Sequence, residues 1–275
     1  MKWKMRTHQI KCSSLAAMFV ALASSAWPQT PNATLTSTLT PAQIVEQMKR
    51  HDKAQTEELE SYHALRHYEV VYRGFFRTIT AEMDVEINYS ASSGKSFRIV
   101  SESGSQALCE RVLKRAVDSE QESSRSKGAT ALTEENYRFR LLGTGDLGNR
   151  PAYILEVQPV TPSKFLYRGK VWVDATDFAL AKLEVEPAKN PSFWISRTLI
   201  HHTYAQTGGF WLPQLNRSET KVRIGGTAVF TIDYGAYQIV PKQARRIAGA
   251  SEGPAQILSV GSSLSKRATN AEGYR

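Results

Sequence analysis

Hydrophobic and polar positions along the chain change their period near His67, where a helical start gives way to a strand-rich body. Ahead of that change, Thr40-Pro41-Ala42-Gln43 supplies an N-cap, a proline at the first helical position and a capping-box glutamine, which satisfy amides that a helix start leaves unpartnered. The spacing predicts a helix over 41–62, with Ile44, Val45 and Met48 on a narrow apolar face. So narrow a stripe suits a helix lying on something larger.

After His67 the period is two. The clearest strand is 80–90, where Ala81, Met83, Val85, Ile87 and Tyr89 alternate with Thr80, Glu82, Asp84, Glu86 and Asn88. A second strand, 95–102, follows the turn Ser92-Ser93-Gly94. Leu108, Val112, Leu113, Ala116 and Val117 then mark an amphipathic helix over 105–125. Strand signals dominate the rest: 137–142, 152–160, 165–173, 178–185, 193–204, 211–223 and 228–239. The breaks carry turn chemistry, such as Asp174-Ala175-Thr176-Asp177, Gly208-Gly209 and Gly225-Gly226. Connections this short favour antiparallel neighbours. The expected fold is α+β, mainly β: a strongly curved, unclosed antiparallel half-barrel of roughly ten strands, with helices covering its concave face.

Composition refines the ends more than the middle. The 275 residues are 41% hydrophobic and 22% charged, with mean hydropathy −0.37, as in an ordinary globular protein. A basic start, the apolar run Leu15 to Ala23 and the small residues Ser24-Ser25-Ala26 form a leader pattern, with cleavage expected near Ala26 and export to the periplasm. Residues 27–39 read as a linker, 40–240 as the folded domain and 241–275 as a disordered basic tail. The formal charge of +9 is concentrated at the ends. Without Lys2, Lys4, Arg6 and Lys11 there are 31 basic against 26 acidic residues, and six of those bases follow Val240. The body is near neutral, which argues against nucleic acid as a partner. Beyond the leader Cys109 stands alone, so the fold needs no disulfide, and its helical setting marks a structural thiol.

The sequence carries no recognisable catalytic spacing. Gly143-Thr144-Gly145-Asp146-Leu147-Gly148 has the letters of a dinucleotide fingerprint but leads into a strand, whereas that motif must open a helix. Ser92-Ser93-Gly94-Lys95-Ser96 reads as a hairpin. His63 and His67, and the adjacent His201 and His202, are the candidate metal ligands. Neighbours on a strand point to opposite faces, and no accompanying ligand spacing supports them. The reading is no enzyme, no cofactor and no metal.

Aromatics crowd the second half instead. For single residues core packing explains them; collectively, a curled sheet larger than two thin helices can fill leaves an apolar cavity. Its candidate lining is Met83, Val85, Ile87, Trp172, Phe178, Trp194 and Trp211. Such a cavity suits acyl chains, since each methylene removed from water contributes about 0.8 kcal/mol.

Two stretches carry a family resemblance. Tyr167-Arg168-Gly169-Lys170-Val171-Trp172-Val173-Asp174-Ala175-Thr176-Asp177-Phe178, followed by Glu186-Pro187-Ala188-Lys189-Asn190-Pro191-Ser192-Phe193-Trp194, resembles the outer-membrane lipoprotein-sorting proteins related to the periplasmic carrier LolA. Gly209-Phe210-Trp211-Leu212-Pro213 and Thr231-Ile232-Asp233-Tyr234 are similar to the same group. The likeness spans 62–239 and rests on a strand-turn-strand pattern, not on a reactive residue. It implies an unclosed barrel lidded by helices that shields lipid chains in transit, with a lipid or acylated lipoprotein as cargo and inner- and outer-membrane proteins as partners. Two other functions fit the scaffold: a periplasmic sensor module that binds an anti-sigma factor, and a metal-dependent hydrolase built on the histidines.

Overall fold

The computed structural model describes residues 39–242, apart from 126, 164, 191–194 and 224. The expected leader, nearly all of the linker and of the basic tail, and Trp194 lie outside the described residues.

Helix α1, Pro41–Glu58, starts as its sequence dictates. Thr40 Oγ1 accepts from the Gln43 amide at 3.3 Å while Gln43 Oε1 accepts from the Thr40 amide at 2.8 Å, with Pro41 at the first turn. It ends four residues earlier than expected. Strand β1, Leu59–Arg73, takes over because Leu59, Tyr62, Ala64, Tyr68 and Val70 all find buried places on one face, and because extended partners exist on both flanks, Ser90 opposite Ser61 and Pro241 opposite Leu59. Non-local pairing overrides the local helical pattern there.

Strands β2, Thr78–Ser90, and β3, Gly94–Gly104, run outward from β1 to one edge of the sheet. The chain then crosses the inner face as a helical run: a single turn α2, Gln106–Leu108; a π-helical turn, Cys109–Leu113; α3, Lys114–Arg125; and the short α4, Lys127–Thr130. From the far edge, β4 (Tyr137–Leu147), β5 (Arg150–Pro159), β6 (Tyr167–Asp174), β7 (Leu180–Pro187), β8 (Ile195–Thr207), β9 (Phe210–Val222) and β10 (Thr227–Asp233) return as one meander. The order is β3-β2-β1-β10-β9-β8-β7-β6-β5-β4, all antiparallel. The two end strands stay unpaired with each other, so the sheet is unclosed.

The expected strand 228–239 is two strands. Asp233 Oδ1 accepts from the Gly235 amide at 2.9 Å, and Gly235 takes a left-handed φ of 61° against the Leu65 carbonyl, where a Cβ would collide. The chain bends and β11, Tyr237–Pro241, pairs with the first half of β1. The sheet therefore has eleven strands.

Two large apolar clusters lie under the helices, beside a smaller one of Ala179, Ala181 and Trp211. Ile44, Val45 and Met48 of α1 pack on Tyr137, Leu155, Val157, Val171, Val173 and Val185 of β4 to β7. Each such side chain contributes about 1.5–3 kcal/mol on burial. Cys109, Leu113 and Val117 of the helical run pack on β1 and β2, against Ala64, Tyr68, Met83, Val85 and Ile87. The Cys109 thiol is buried within hydrogen-bond reach of the Ser103 carbonyl.

Candidate functional site

Inward positions of β1 fall on even numbers, and one of them is Arg66. Its side chain is 0% exposed amid aliphatic and aromatic neighbours. Leu113, Val117 and Glu120 share a helix face by their spacing of four and three, so the helix that buries its apolar residues on β1 and β2 also delivers a carboxylate. Arg66 Nη1 donates to Glu120 Oε2 at 2.8 Å, and Lys95 Nζ of β3 donates to Glu120 Oε1 at 3.0 Å. Two cations thus converge on one carboxylate that pins α3 to the sheet.

An aromatic stack extends from this ion pair into the sheet. The Arg66 guanidinium lies 4.4 Å from the Tyr234 ring centroid. Tyr234 stacks on His202 at 5.5 Å, and His202 on Tyr204 at 4.5 Å. The Tyr68 hydroxyl lies beside Arg66 but makes no hydrogen bond of normal geometry, and neither Arg66 Nε nor His202 Nε2 has a partner among the described residues. Buried polar groups are normally satisfied, so their concentration here distinguishes this part of the interior.

Charge states follow from the packing. Burial pushes the Glu120 carboxyl upward, but the Lys95 and Arg66 charges and their hydrogen bonds more than offset this, leaving it below the usual glutamate range. Burial works against the Arg66 charge, and Glu120 holds it in place. His202 falls to about 4, chiefly through burial, with Glu120 opposing and Arg66 and Lys95 assisting. At neutral pH the cluster holds a charged guanidinium and carboxylate, with a neutral imidazole on the far side of the Tyr234 ring.

Two adjoining clefts open between α3 and β3. One, of about 440 Å³, is lined by Phe97, Ile99 and Val117 with Lys114 and Arg115 at its rim. The other, of about 480 Å³, is lined by Tyr89, Phe97 and Lys95 of the sheet and Gln121 and Ser124 of α3. Phe97 and Gln121 belong to both. Lys114 fastens the rim, reaching Glu102 of β3 at 3.0 Å and Glu110 at 2.7 Å.

Sequence-predicted residues divide among several environments. Met83, Val85 and Ile87 line the inner face as alternation requires, and they are packed shut beneath the helical run. Phe178 is half-buried at a left-handed φ of 57°, stacked on Tyr153 at 6.0 Å in the α1 half. Trp211 is a fastening point: its indole donates to Asp177 at 2.9 Å, and its backbone amide and carbonyl are both bonded by the Gln55 side chain of α1. Arg150 stacks on that indole and forks onto Asp174 and Asp177. Trp172 is placed differently from the expectation. Val171 and Val173 occupy the inner face, so parity puts Trp172 on the outer one, opposite Ile154 and Lys182, whose ammonium lies 4.6 Å over its ring.

The histidines are dispersed. His63 and His67 face outward and meet Glu86 at 3.1 Å and Asp84 at 2.8 Å across β1 and β2. His201 lies on the outer face beside Glu184, and His202 on the inner one. Among the described residues no three His, Cys, Asp or Glu side chains gather as a metal set. The Gly143 to Gly148 and Ser92 to Ser96 segments belong to hairpins β4–β5 and β2–β3. The Arg66–Glu120–Lys95 cluster was not among the predicted residues.

No protein-family profile matches the sequence, and no curated protein is similar to it. Solved structures are. A DUF1329 family protein from Desulfovibrio piger is 11% identical with a TM-score of 0.38, covering 73% of this chain and 94% of that one. A putative outer membrane lipoprotein-sorting protein domain from Vibrio parahaemolyticus is 13% identical with a TM-score of 0.36, covering 71% and 91%. A LolA superfamily protein from Nitrosomonas europaea is 14% identical with a TM-score of 0.32, covering 74% and 96%.

Proposed function

We propose that this chain is an exported, non-catalytic protein that binds the acyl chains of a lipid or an acylated lipoprotein between α3 and the apolar face of β1 to β3. One observation carries the reading: the helical run covers Met83, Val85 and Ile87 through Cys109, Leu113 and Val117, while α3 at its end is held by charged groups that an anionic ligand could satisfy in turn. A cover that is wholly apolar must expose oil to leave. Here the pins, Lys114 to Glu102 and Glu120 to Arg66 and Lys95, are exchangeable, and two clefts of mixed polar and apolar lining already open beside Phe97. Displacing α3 would join those clefts to the cluster beneath and make Met83, Val85 and Ile87 the lining. Trp211 and Phe178 would stay as framework on this reading. The leader pattern supports export, and the body's near-neutral charge fits a lipid better than a polyanion.

The test is native mass spectrometry of the full chain purified from its own cell envelope, followed by titration with a palmitoylated peptide and its unacylated counterpart. Co-purifying acyl mass and a preference of at least tenfold for the acylated peptide are expected. Equal affinities and no lipid mass would overturn the reading. A stable protein complex that lipid dissociates would favour a sensor module.

A further inference from the structure

We propose that the ligand is an amphiphile with an acidic head group, a phosphate or a carboxylate, and that Glu120 occupies the head group's place until it is displaced. This deepens the acyl-binding reading and rests on it. Arg66 and Lys95 both address one side chain, and that side chain belongs to the movable cover and not to the sheet. Two cations against one carboxylate leave the pocket positively charged. A phosphate or carboxylate arriving there would replace an anion already accommodated, so no new charge type has to be buried.

The surroundings are built to receive more acceptor atoms than Glu120 supplies. Arg66 Nε and the Tyr68 hydroxyl are buried donors without partners, and both lie at the guanidinium. A phosphate has three oxygens to share among Arg66 and Lys95, whereas the glutamate spends one on each. Stacking on Tyr234 keeps the guanidinium in place when its partner changes. Access exists as well. Lys95 lines the 480 Å³ cleft among serines, with Tyr89 and Phe97 beside it, so a head group entering this polar mouth meets the ammonium while its chain lies against the two rings. Exchange also couples binding to motion. Once the head group holds Arg66 and Lys95, Glu120 loses both partners and α3 is freed to uncover the acyl site.

The experiment compares affinities of the full-length protein for oleate, oleoyl lysophosphatidate and neutral oleyl alcohol below their aggregation concentrations. At least one acidic ligand is expected to bind tenfold or more tightly than the alcohol. Preference for oleate alone assigns a carboxylate, and preference for lysophosphatidate alone assigns a phosphate. The acid-to-alcohol ratio should fall about tenfold in Lys95→Gln. It should rise at least threefold in Glu120→Gln, which removes the internal competitor. If all three ligands bind alike, or both variants keep the wild-type ratio, the head-group assignment is wrong while the apolar site stands. If none binds, the acyl-binding reading itself fails.

Discussion

The two helices that cover the sheet do so by different physics. Under α1, aliphatic residues of the helix meet aliphatic and aromatic residues of β4 to β7, and neighbouring polar groups are tied down, as in the Gln55 clamp on Trp211 and the Arg150 fork on Asp174 and Asp177, with His51 Nε2 the one buried polar side-chain atom of α1 without a partner among the described residues. Under α3, an equally apolar contact is interrupted by a buried ion pair, unpartnered donors and a π-helical turn, and clefts flank it. A cover with few unsatisfied groups has little to gain by leaving, whereas several of them gathered around a buried charge leave free energy to be gained elsewhere. The α1 half is scaffold and the α3 half is the working part.

The largest effect tests whether the ion pair is what separates the halves. Glu120→Ala leaves the buried Arg66 charge without its carboxylate, and removing one member of a buried pair costs about 3–5 kcal/mol. Because Glu120 is partly exposed, the low end, about 3 kcal/mol, is expected in urea unfolding. Replacing both partners, Arg66→Met with Glu120→Leu, should recover more than half of that loss, since it removes the charges together. In the aliphatic contact under α1, Leu155→Ala should cost about 2–5 kcal/mol through its cavity alone, with no charged partner whose removal could offset it. A Glu120→Ala protein within about 0.5 kcal/mol of wild type, the range of an inconsequential surface change, would erase the distinction.

A second effect sharpens the comparison through pH, because His202 belongs to the stack that begins at Arg66 under α3. Its folded pKa of about 4 lies below the ordinary value near 6.5, so the unfolded chain takes up a proton first as pH falls. Stability conferred by the neutral imidazole is therefore complete above pH 6.5 and lost between there and about 4. The depression corresponds to at most about 3 kcal/mol. Glu120 acts in the same direction, its stabilisation being lost only as pH falls below the ordinary glutamate value of about 4.3. Urea midpoints of wild type and His202→Gln should diverge most at pH 7 and approach each other at pH 4.5. Parallel curves over that interval would show that the imidazole titrates normally in the folded protein.

How much of this was visible in the residues differs between the halves in the same way. The α1 half follows from local rules: the capping box, the Ile44-Val45-Met48 stripe and the alternation of β5 and β6 are legible one segment at a time. The unclosed antiparallel sheet follows from short turns. The α3 half depends on parity across distant segments. Extending the helix to Tyr62 hid the true start of β1, and with it the fact that Tyr62, Ala64, Arg66, Tyr68 and Val70 form one inward row. Counting in twos from Tyr62, past the bulge between Leu59 and Ser61, places an arginine in that row, and the 113, 117, 120 spacing places a glutamate above it. Nothing local couples the two, since 54 residues separate them. Trp172 shows the complementary error, in which a large aromatic was assumed to face inward although its valine neighbours already claimed that side.

The smallest effect concerns the cap that starts α1. Thr40→Ala removes the hydroxyl that accepts from the Gln43 amide and should cost about 1 kcal/mol. The α1 side chains stay packed on β4 to β7 when this bond is lost, so the helix should fray only at its first turn. Amide exchange is then expected to quicken at Ile44 and Val45 while Leu113 and Val117 keep their wild-type rates. Capture of acylated peptide should be unchanged, because a scaffold helix can lose an end without uncovering the face that binds. If instead this substitution loosened α3 or weakened capture severalfold, the halves would be one cooperative cover and the division of labour between them would not hold.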